Sequence, residues 1–293
     1  MGGYFLTVYN VTFKKYVEDG IFSFALDYDL ENAHHKLIYD CYAKGSCYEP
    51  DVTALILRTL KPGDFAIDVG ANIGVFTIMM AQLVGPTGKV LASEPDPDNL
   101  AFLRKNIELN NLTNVEVIDQ PFWSTIEEVT FYKCADSDGG HALWDPGLYA
   151  WNEETRALKP APIQMLSTTL ANEIARIGRR CSFVKVDTEG ADEKILSGLG
   201  PYRPPYIIAE SNPFGAEQFG GNNDTFRKQM RKFGYDCFLL WHEDHLPSMV
   251  PDNSTITNGF NGFLYLNLLF STLADVGRAY PEVPDIAIPV ENA

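Results

Sequence analysis

The alternation of apolar and polar positions predicts a regular series of strands and helices from residue 65 onward. Short apolar runs bounded by turn residues predict strands, and apolar residues spaced three and four apart predict the helices between them. The predicted strands span residues 65–69, 89–94, 115–119, 181–187, 206–210, 235–240 and 260–267, and the predicted helices span residues 73–84, 96–109, 169–177, 191–199 and 224–233. Five strand–helix units and a closing antiparallel pair predict an α/β fold, a Rossmann-like doubly wound sheet of seven mostly parallel strands with helices on both faces.

The residues before this series predict a separate β/α lid. Residues 4–30 alternate apolar and polar positions, which predicts a β-hairpin or two short strands, and a helical or mixed stretch with the pair His34-His35 follows. Adjacent histidines point to different faces of a helix, so we interpret this pair as surface or cap residues rather than as a metal site. We expect residues 1–50 to form an N-terminal lid over a domain that spans residues 51–270.

The series breaks after the third core strand, at residues 121–166. Predicted strands at 129–132 and 162–166 flank a loop rich in glycine, aspartate and tryptophan. Long loops in compact domains more often have a function than none. One interpretation is therefore an insertion that faces the substrate and whose aromatic residues stack on a sugar. The other interpretation is a solvated loop pinned by its tryptophans, and both stay open. The side chains of interest in this loop are His141, Trp144, Tyr149 and Trp151.

Net charge and cysteine content limit the kinds of partner and of cellular compartment that the sequence favours. The 293 residues carry a formal net charge of -16, which disfavours polyanionic partners such as nucleic acid but not a cationic cofactor. Five cysteines without a C-x-x-C pair favour a reducing cytoplasm over a disulfide framework or a zinc site. The first residues lack a signal-peptide pattern, and no apolar run is long enough to predict a membrane span. Residues 271–293 are acidic and contain three prolines, which predicts a loosely packed tail.

The segment from Phe65 to Ile78 carries the clearest chemical signal. A buried strand passes through a turn with Gly70 and Gly74 into a helix, an arrangement that cradles nucleotide-like ligands. A dinucleotide site needs G-x-G-x-x-G around a pyrophosphate, whereas three residues, including Asn72, separate the two glycines here. Asp68 at the strand end would repel a pyrophosphate but suits an ammonium group. We therefore take these four residues as cofactor-binding candidates.

A second acid completes this pattern. Glu94 ends the next predicted strand, about one strand–helix–strand unit after Asp68, where a carboxylate can accept hydrogen bonds from both ribose hydroxyls. A ribose acceptor and an ammonium acceptor without a pyrophosphate cradle together describe S-adenosylmethionine. A single acid at either position would more commonly be a cap or turn residue, but both stand in register with the glycine loop.

Acidic residues occupy the predicted carboxyl ends of five strands. Ligands of open α/β sheets bind beyond these ends, so the acids are expected along one edge of the sheet beside one pocket. They are Asp68, Glu94, Asp119, Asp187 and Glu210.

These residues resemble the FkbM-type family of class I methyltransferases. The resemblance rests on Asp68-Val-Gly-Ala-Asn-Ile-Gly74, on Ser93-Glu-Pro95 and above all on Val184-Lys-Val-Asp-Thr-Glu-Gly190, and it covers about residues 45–270. It implies methyl transfer from S-adenosylmethionine to hydroxyl oxygens of sugars, polyketides and other small molecules. It also implies that Asp119 or Gln120 bonds the adenine amino group and that Glu49 approaches the methionine end of the cofactor.

Methyl transfer to an alcohol benefits from a base or a metal, because an alcohol is a weak nucleophile at neutral pH. Asp187 and Glu189 follow the fourth strand, near the expected position of the methyl group, and we take one of them as base or acceptor anchor. The alternative for Glu189 is a carboxylate that stabilises a helix N-terminus. Mg²⁺ is a candidate cofactor, with Asp187, Glu210 and Asn212 as hard oxygen ligands at neighbouring strand ends.

Other functions remain as alternatives. A nicotinamide-dependent dehydrogenase shares the fold and an acid like Glu94, but its glycine pattern differs. A non-catalytic S-adenosylmethionine-binding protein would keep Asp68 and Glu94 without needing Asp187. The dipeptide Asn212-Pro213 resembles a motif of DNA methyltransferases but follows the fifth strand instead of the fourth, so we interpret it as a helix or turn start. Neither the acceptor nor the oligomeric state is encoded in a readable motif.

Overall fold

A computed structural model describes the protein at residues 7–12, 21–134, 139–145, 162–240, 246–250 and 266–283. The strands are β1 (Thr7–Thr12), β2 (Ile21–Leu26), β3 (Phe65–Val69), β4 (Lys89–Ser93), β5 (Val115–Ile118), β6 (Glu128–Phe131), β7 (Ile163–Leu166), β8 (Cys181–Val186), β9 (Tyr206–Ser211), β10 (Asp236–Leu240), β11 (Pro247–Met249) and β12 (Leu266–Ser271). The helices are α1 (Ala33–Ala43), α2 (Pro50–Thr59), α3 (Val75–Val84), α4 (Pro97–Leu109), α5 (Leu170–Ile177), α6 (Asp192–Ser197), α7 (Pro213–Gln218), α8 (Asn223–Lys232) and α9 (Leu273–Ala279).

The central sheet confirms the α/β expectation. Its strand order is β11-β10-β12-β9-β8-β3-β4-β5, and the five strands from β9 to β5 are parallel. The closing strands β10 and β12 pair antiparallel, as predicted. Strand β12 continues to Ser271, past the predicted range 260–267, and residues 260–265 of that range lie outside the described residues. The sheet has eight strands rather than seven, because the short strand β11 pairs with β10 at the edge. Three residues that begin with a proline give too short a pattern to predict, and proline suits an edge strand.

Helices cover both faces of the sheet because its strands are apolar on both sides. One face packs against α2, α3 and α9, and the other packs against α5, α6 and α8. Helix α4 packs against Ala71 and Ala92 through Leu100 and Leu103. Burial on both faces explains why the core strands read as continuous apolar runs. The carboxyl ends of the parallel strands are left as the open edge at which a ligand can bind.

The N-terminal lid is tied to the core by two asparagines of α4 and its C-terminal end. Strands β1 and β2 form the predicted antiparallel hairpin. Asn106 Oδ1 accepts from Asp27 N at 2.6 Å, and its Nδ2 donates to Ile73 O at 2.8 Å. Asn110 accepts from Ala25 N at 2.9 Å and donates to Ala25 O at 2.7 Å. The lid is therefore anchored beside the glycine loop.

The interpretation of His34-His35 as surface or cap residues is wrong for His35, whereas His34 is half-buried. His35 is fully buried, and its Nδ1 accepts a hydrogen bond from Asp29 N at 3.1 Å. His34 lines the central cleft described below. The packing of α1 against the core buries the second of these two adjacent histidines, which the local sequence does not reveal.

The insertion contains a small sheet of its own. Strands β6 and β7 pair antiparallel, separate from the central sheet, close to the two strands predicted there. His141 and Trp144 lie in the described segment 139–145, whereas Tyr149 and Trp151 lie outside the described residues.

The expectation of a loosely packed tail is wrong for residues 273–283. Helix α9 packs on the sheet through Val276 and Ala279, and Tyr280 is fully buried beneath the Arg58 guanidinium, 4.6 Å from its ring centroid. Arg58 also forms an ion pair with Glu282 at 2.7 Å. The prediction rested on the average acidity and proline content of the segment, and these averages do not reveal a short amphipathic helix. The remaining predicted tail, residues 284–293, lies outside the described residues.

No helix in the described part of the chain combines the length and apolarity that a membrane crossing requires.

Candidate active site

A partly enclosed cleft lies at the carboxyl ends of the parallel strands. The lid contributes His34, Ile38, Tyr48 and Glu49; the β3 loop and α3 contribute Gly70, Ala71, Asn72 and Phe76; and the β4 end contributes Ser93 and Glu94. The β8 and β9 ends contribute Lys185, Asp187, Thr188, Glu189 and Glu210, and the insertion side contributes Phe122, Phe131, His141, Ala142 and Leu143. The lid and the insertion thus both border the cleft.

The glycine loop closes on the end of β8. Gly70 has φ +77°, and a Cβ at this position would stand 1.9 Å from the carbonyl oxygen of Asp187, so only glycine fits. Asn72 lines the cleft with φ +50°, an uncommon value for a residue with a side chain. Gly74 does not line the cleft. It begins α3 with φ +95° and allows Leu103 of α4 to approach, so its role is packing.

Glu94 lines the cleft, and its expected role as a ribose acceptor stays a prediction. The side chain is 5% exposed, and its Oε2 and Oε1 accept hydrogen bonds from Asn72 N at 2.8 Å and Asp96 N at 2.9 Å. Burial raises the pKa of Glu94 to about 7, against the opposing effect of these two N–H groups. Each oxygen keeps a second lone pair for a ligand hydroxyl. Glu94 therefore links the glycine loop to the base of the cleft.

We expect Glu94→Gln to weaken S-adenosylhomocysteine binding by about 10- to 100-fold, the value of one or two hydrogen bonds to a charged group. The glutamine NH₂ would have to face a backbone N–H of Asn72 or Asp96, which places two donors against each other. Isothermal titration calorimetry measures the change. Unaltered affinity in a folded variant would contradict a cofactor role for Glu94.

Asp68 does not lie at the cleft surface, contrary to the expectation of a direct ammonium contact. It is fully buried, and its Oδ2 accepts from Thr77 Oγ1 at 2.6 Å. Its Oδ1 lies 3.9 Å from Lys185 Nζ. Burial raises the pKa of Asp68, and Lys185 and Thr77 oppose the shift. Its position at the strand end is as predicted, but its side chain turns under the glycine loop toward Lys185.

Lys185 is a site residue whose direction the sequence left open. Its side chain is 4% exposed and lines the cleft, with Nζ 3.0 Å from Asp187 Oδ2 and 5.1 Å from the Phe76 ring centroid. Burial lowers the pKa of Lys185, but the charges of Asp187, Asp68 and Glu49 outweigh it, so the pKa is raised overall. Because Lys185 alternates with two valines in a strand that is buried on both faces, the pattern could not show which face it uses. The lysine fixes an ion pair with Asp187 at the floor of the cleft.

Three further acids gather around this ion pair. Burial and the charge of Asp187 raise the pKa of Glu49 to about 7 and that of Glu189 to about 8. Burial and the charge of Glu189 raise the pKa of Glu210 well above its usual value. Glu49 and Glu189 have φ +41° and +56°. Backbone strain at residues with side chains is frequent at functional sites, and here it occurs at two cleft-lining carboxylic acids.

The candidate magnesium ligands do not assemble into a metal site. Asn212 caps α7 by accepting from Gly215 N at 2.9 Å, and its Nδ2 donates to Glu189 Oε2 at 2.8 Å. The amide oxygen is thus used for the helix, and Asn212 does not line the cleft, unlike Asp187 and Glu210. The described residues contain no group of three or more His, Cys, Asp or Glu side chains that could hold a metal ion. The reading of Asn212-Pro213 as a helix start is confirmed.

Asp119 and Gln120 lie outside the cleft, so the expected adenine contact is not placed there. Asp119 is exposed. The Gln120 side-chain Nε2 donates to Leu166 O at 3.4 Å, and the backbone carbonyl oxygen of Gln120 accepts from Ser93 Oγ at 2.8 Å. The residues that reach the cleft after β5 are Pro121 and Phe122.

The residues of the cleft fit S-adenosylmethionine. Glu94 offers acceptors to ribose hydroxyls, and an excess of carboxylic acids over the one lysine suits the positive ammonium and sulfonium groups of this cofactor. Glu210 Oε2 is buried without a hydrogen-bond partner among the described residues, so a carboxyl oxygen is available to a ligand at the β9 side of the cleft. Nothing in the glycine loop provides the pyrophosphate cradle of a dinucleotide site.

Comparison with known proteins agrees with this chemistry. Residues 68–237, more than half of the chain, match the family described as the methyltransferase FkbM domain. The chain is 29% identical over 161 residues to 31-O-demethyl-FK506 methyltransferase FkbM of Streptomyces tacrolimicus, covering 48% of this chain and 61% of that protein. It is 26% identical over 184 residues to Methyltransferase 1 of Beauveria bassiana, covering 58% and 68%. A shorter match, 40% over 68 residues, covers 23% of this chain and 35% of a probable cobalt-precorrin-6B C(15)-methyltransferase of Sulfolobus acidocaldarius.

Proposed function

The chain belongs to the FkbM methyltransferase family, and from this premise we propose that it transfers a methyl group from S-adenosylmethionine to a hydroxyl oxygen of a small molecule. The observation that carries the proposal is the set of carboxylic acids at the ends of β8 and β9, where Asp187, Glu189 and Glu210 border the same cleft as Glu94. Bound S-adenosylmethionine supplies a methyl group on a positively charged sulfur. The family does not favour the nicotinamide dehydrogenase alternative.

Glu189 is the general base in this proposal. Its Oε2 is held by Asn212 Nδ2 at 2.8 Å, which leaves the other oxygen available to take a proton from the acceptor hydroxyl. Because its pKa is about 8, Glu189 is a stronger base than an ordinary carboxylate near neutral pH. Asp187 and Lys185, paired at 3.0 Å, form a fixed charge pair that orients the hydroxyl beside the base.

Aromatic side chains of the lid and of α3 line one part of the cleft. Tyr48 packs on the Phe76 ring at 6.0 Å between centroids, and the His34 ring meets Tyr48 edge-on at 5.8 Å. An acceptor that covers these rings and displaces water would strengthen the interaction between Glu189 and its own hydroxyl. The acceptor is therefore expected to carry both hydroxyl groups and an apolar surface.

An acceptor screen tests the proposal. Purified protein with methyl-labelled S-adenosylmethionine is incubated with hydroxylated probes, namely hexoses, aminosugars and a macrolide diol, alongside matched analogues in which the hydroxyl groups are replaced by hydrogen. We expect label on at least one hydroxylated probe and none on its deoxy analogue. Transfer to the deoxy analogue would contradict hydroxyl specificity, and transfer to a DNA duplex or an RNA hairpin would replace the small-molecule assignment.

The rate is expected to rise with pH. Only the deprotonated form of Glu189 can act as base, so kcat/KM should increase about tenfold per pH unit below its pKa and level off above about 8. Positive charge on the bound cofactor shifts this point somewhat lower. Initial rates between pH 6 and 10 measure the profile. A rate independent of pH over this range would remove Glu189 as base.

A further inference from the structure

Trp144, in the insertion, holds the backbone of Glu189 from outside the cleft. Its indole Nε1–H donates to the Glu189 carbonyl oxygen at 2.7 Å. The side chain is 6% exposed and packs on the Phe214 ring at 5.6 Å between centroids. Trp144 is not among the residues that line the cleft. The tryptophan is therefore placed as a support rather than as a surface on which an acceptor stacks.

The carbonyl that Trp144 holds belongs to a tightly fixed turn. Glu189 has φ +56° and is followed by Gly190 at φ +99°. A Cβ on Gly215 would come within 2.2 Å of the same carbonyl oxygen, so the oxygen lies against the backbone of α7. On the side chain, Asn212 fixes one carboxylate oxygen. Backbone and carboxylate of Glu189 are thus held by two different neighbours.

We propose that Trp144 is a positioning residue that keeps Glu189 in its left-handed backbone conformation and so keeps its carboxylate directed at the acceptor. This inference rests on the proposed function of Glu189. Left-handed φ values are unfavourable for residues with a side chain and persist only where the surroundings enforce them. Without the indole N–H, the carbonyl loses its donor, and rotation of the Asp187–Gly190 turn toward negative φ withdraws the carboxylate from Asn212.

The cofactor end of the cleft does not depend on this support. Glu94 and Asn72 are joined to each other by the hydrogen bond at 2.8 Å and lie on the β3 and β4 ends. Loss of the indole hydrogen bond is thus expected to slow methyl transfer while cofactor affinity is retained. If Trp144 had only a structural role, its substitution would lower stability without slowing transfer selectively.

Trp144→Phe removes the N–H and keeps an aromatic ring, and Trp123→Phe is its matched control. Trp123 packs edge-on against Phe219 at 5.2 Å, and within the described part of the chain its indole makes no hydrogen bond that would be lost. Hydrogen–deuterium exchange is followed at Gly190, whose N–H donates to Asp192 Oδ2 at 3.2 Å. Crystal structures of both variants with S-adenosylhomocysteine report the Glu189 backbone directly.

In Trp144→Phe we expect amide exchange at Gly190 to be about five- to tenfold faster, because one hydrogen bond that stabilises the turn is lost. In the crystal structure of this variant we expect the backbone of Glu189 to have left φ +56°. S-Adenosylhomocysteine affinity should stay within about twofold, and kcat for an accepted hydroxyl should fall about 10- to 100-fold. Trp123→Phe should change none of these. Unaltered exchange and an unchanged Glu189 conformation in Trp144→Phe would overturn the inference. Exchange at Gly190 and the Glu189 backbone could change as expected while the wild-type protein methylates no hydroxylated probe. In that case the proposed function fails, and the role of Trp144 in positioning Glu189 stands.

Discussion

Replacing Glu189 by Gln is expected to reduce methyl transfer by about 10²- to 10⁴-fold, the usual contribution of a general base. Glutamine has the same shape, and its amide oxygen can still accept from Asn212 Nδ2, the bond that measures 2.8 Å with the carboxylate. The substitution therefore removes proton acceptance without removing the support of the side chain. S-Adenosylhomocysteine affinity is expected to change by less than about threefold. Single-turnover rates and calorimetry separate the two quantities.

A matched control for this substitution is Glu193→Gln in α6. Glu193 accepts from Thr225 Oγ1 at 3.0 Å and does not line the cleft, so the same chemical change should leave transfer within about twofold. A second variant, Asp187→Asn, distinguishes base from anchor. If Asp187→Asn abolishes transfer while Glu189→Gln retains it, the base is Asp187. If neither variant affects transfer, both residues lose their catalytic assignment.

Replacing Gly70 by Ala is expected to give the largest loss of stability and to abolish cofactor binding. The new Cβ would stand 1.9 Å from the Asp187 carbonyl oxygen at a φ of +77°. Either the glycine loop or the end of β8 must move, and both border the cleft. Backbone strain at a residue with left-handed φ costs about 1–3 kcal/mol, and overpacking costs about 1–3 kcal/mol more. Denaturant unfolding should therefore show a loss of roughly 2–6 kcal/mol.

The substitution Gly85→Ala measures the cost of backbone strain without the cost of a steric clash. Gly85 also has a left-handed φ, +63°, but a Cβ there meets nothing within 4 Å. Its substitution should cost about 1–3 kcal/mol and leave S-adenosylhomocysteine binding intact. Equal losses in the two variants, with binding preserved in both, would show that the contact of the glycine loop with β8 does not shape the cleft.

The sequence predicts the position of the site better than the direction of its side chains. Acids at the ends of Rossmann-like strands must gather at one edge, and Glu94, Asp187 and Glu210 do so. Periodicity cannot show which face of a fully buried strand a polar residue uses. Asp68 consequently turns toward Lys185, and Lys185 itself reaches the cleft.

Long-range contacts account for the remaining differences. The bond from Trp144 to Glu189 joins residues 45 positions apart, and no local pattern encodes it. Gln120 turns toward Leu166 across the insertion, which removes it from the predicted adenine position. Helix α9 is stabilised by Arg58 over Tyr280, a contact that average composition conceals. In each case a partner distant in sequence decides where the side chain lies.

Ligand-induced stabilisation decides whether the cleft binds S-adenosylmethionine. Thermal unfolding is followed with S-adenosylmethionine, S-adenosylhomocysteine or NADH, each at increasing concentration. At about 100 times its dissociation constant, a ligand that binds only the folded chain adds roughly 2.7 kcal/mol to stability. We expect a saturable increase in melting temperature with the first two ligands, diminished in Glu94→Gln, and none with NADH. A shift with NADH alone, or no shift with S-adenosylhomocysteine at millimolar concentration, would contradict the assignment of this cleft to methyl transfer.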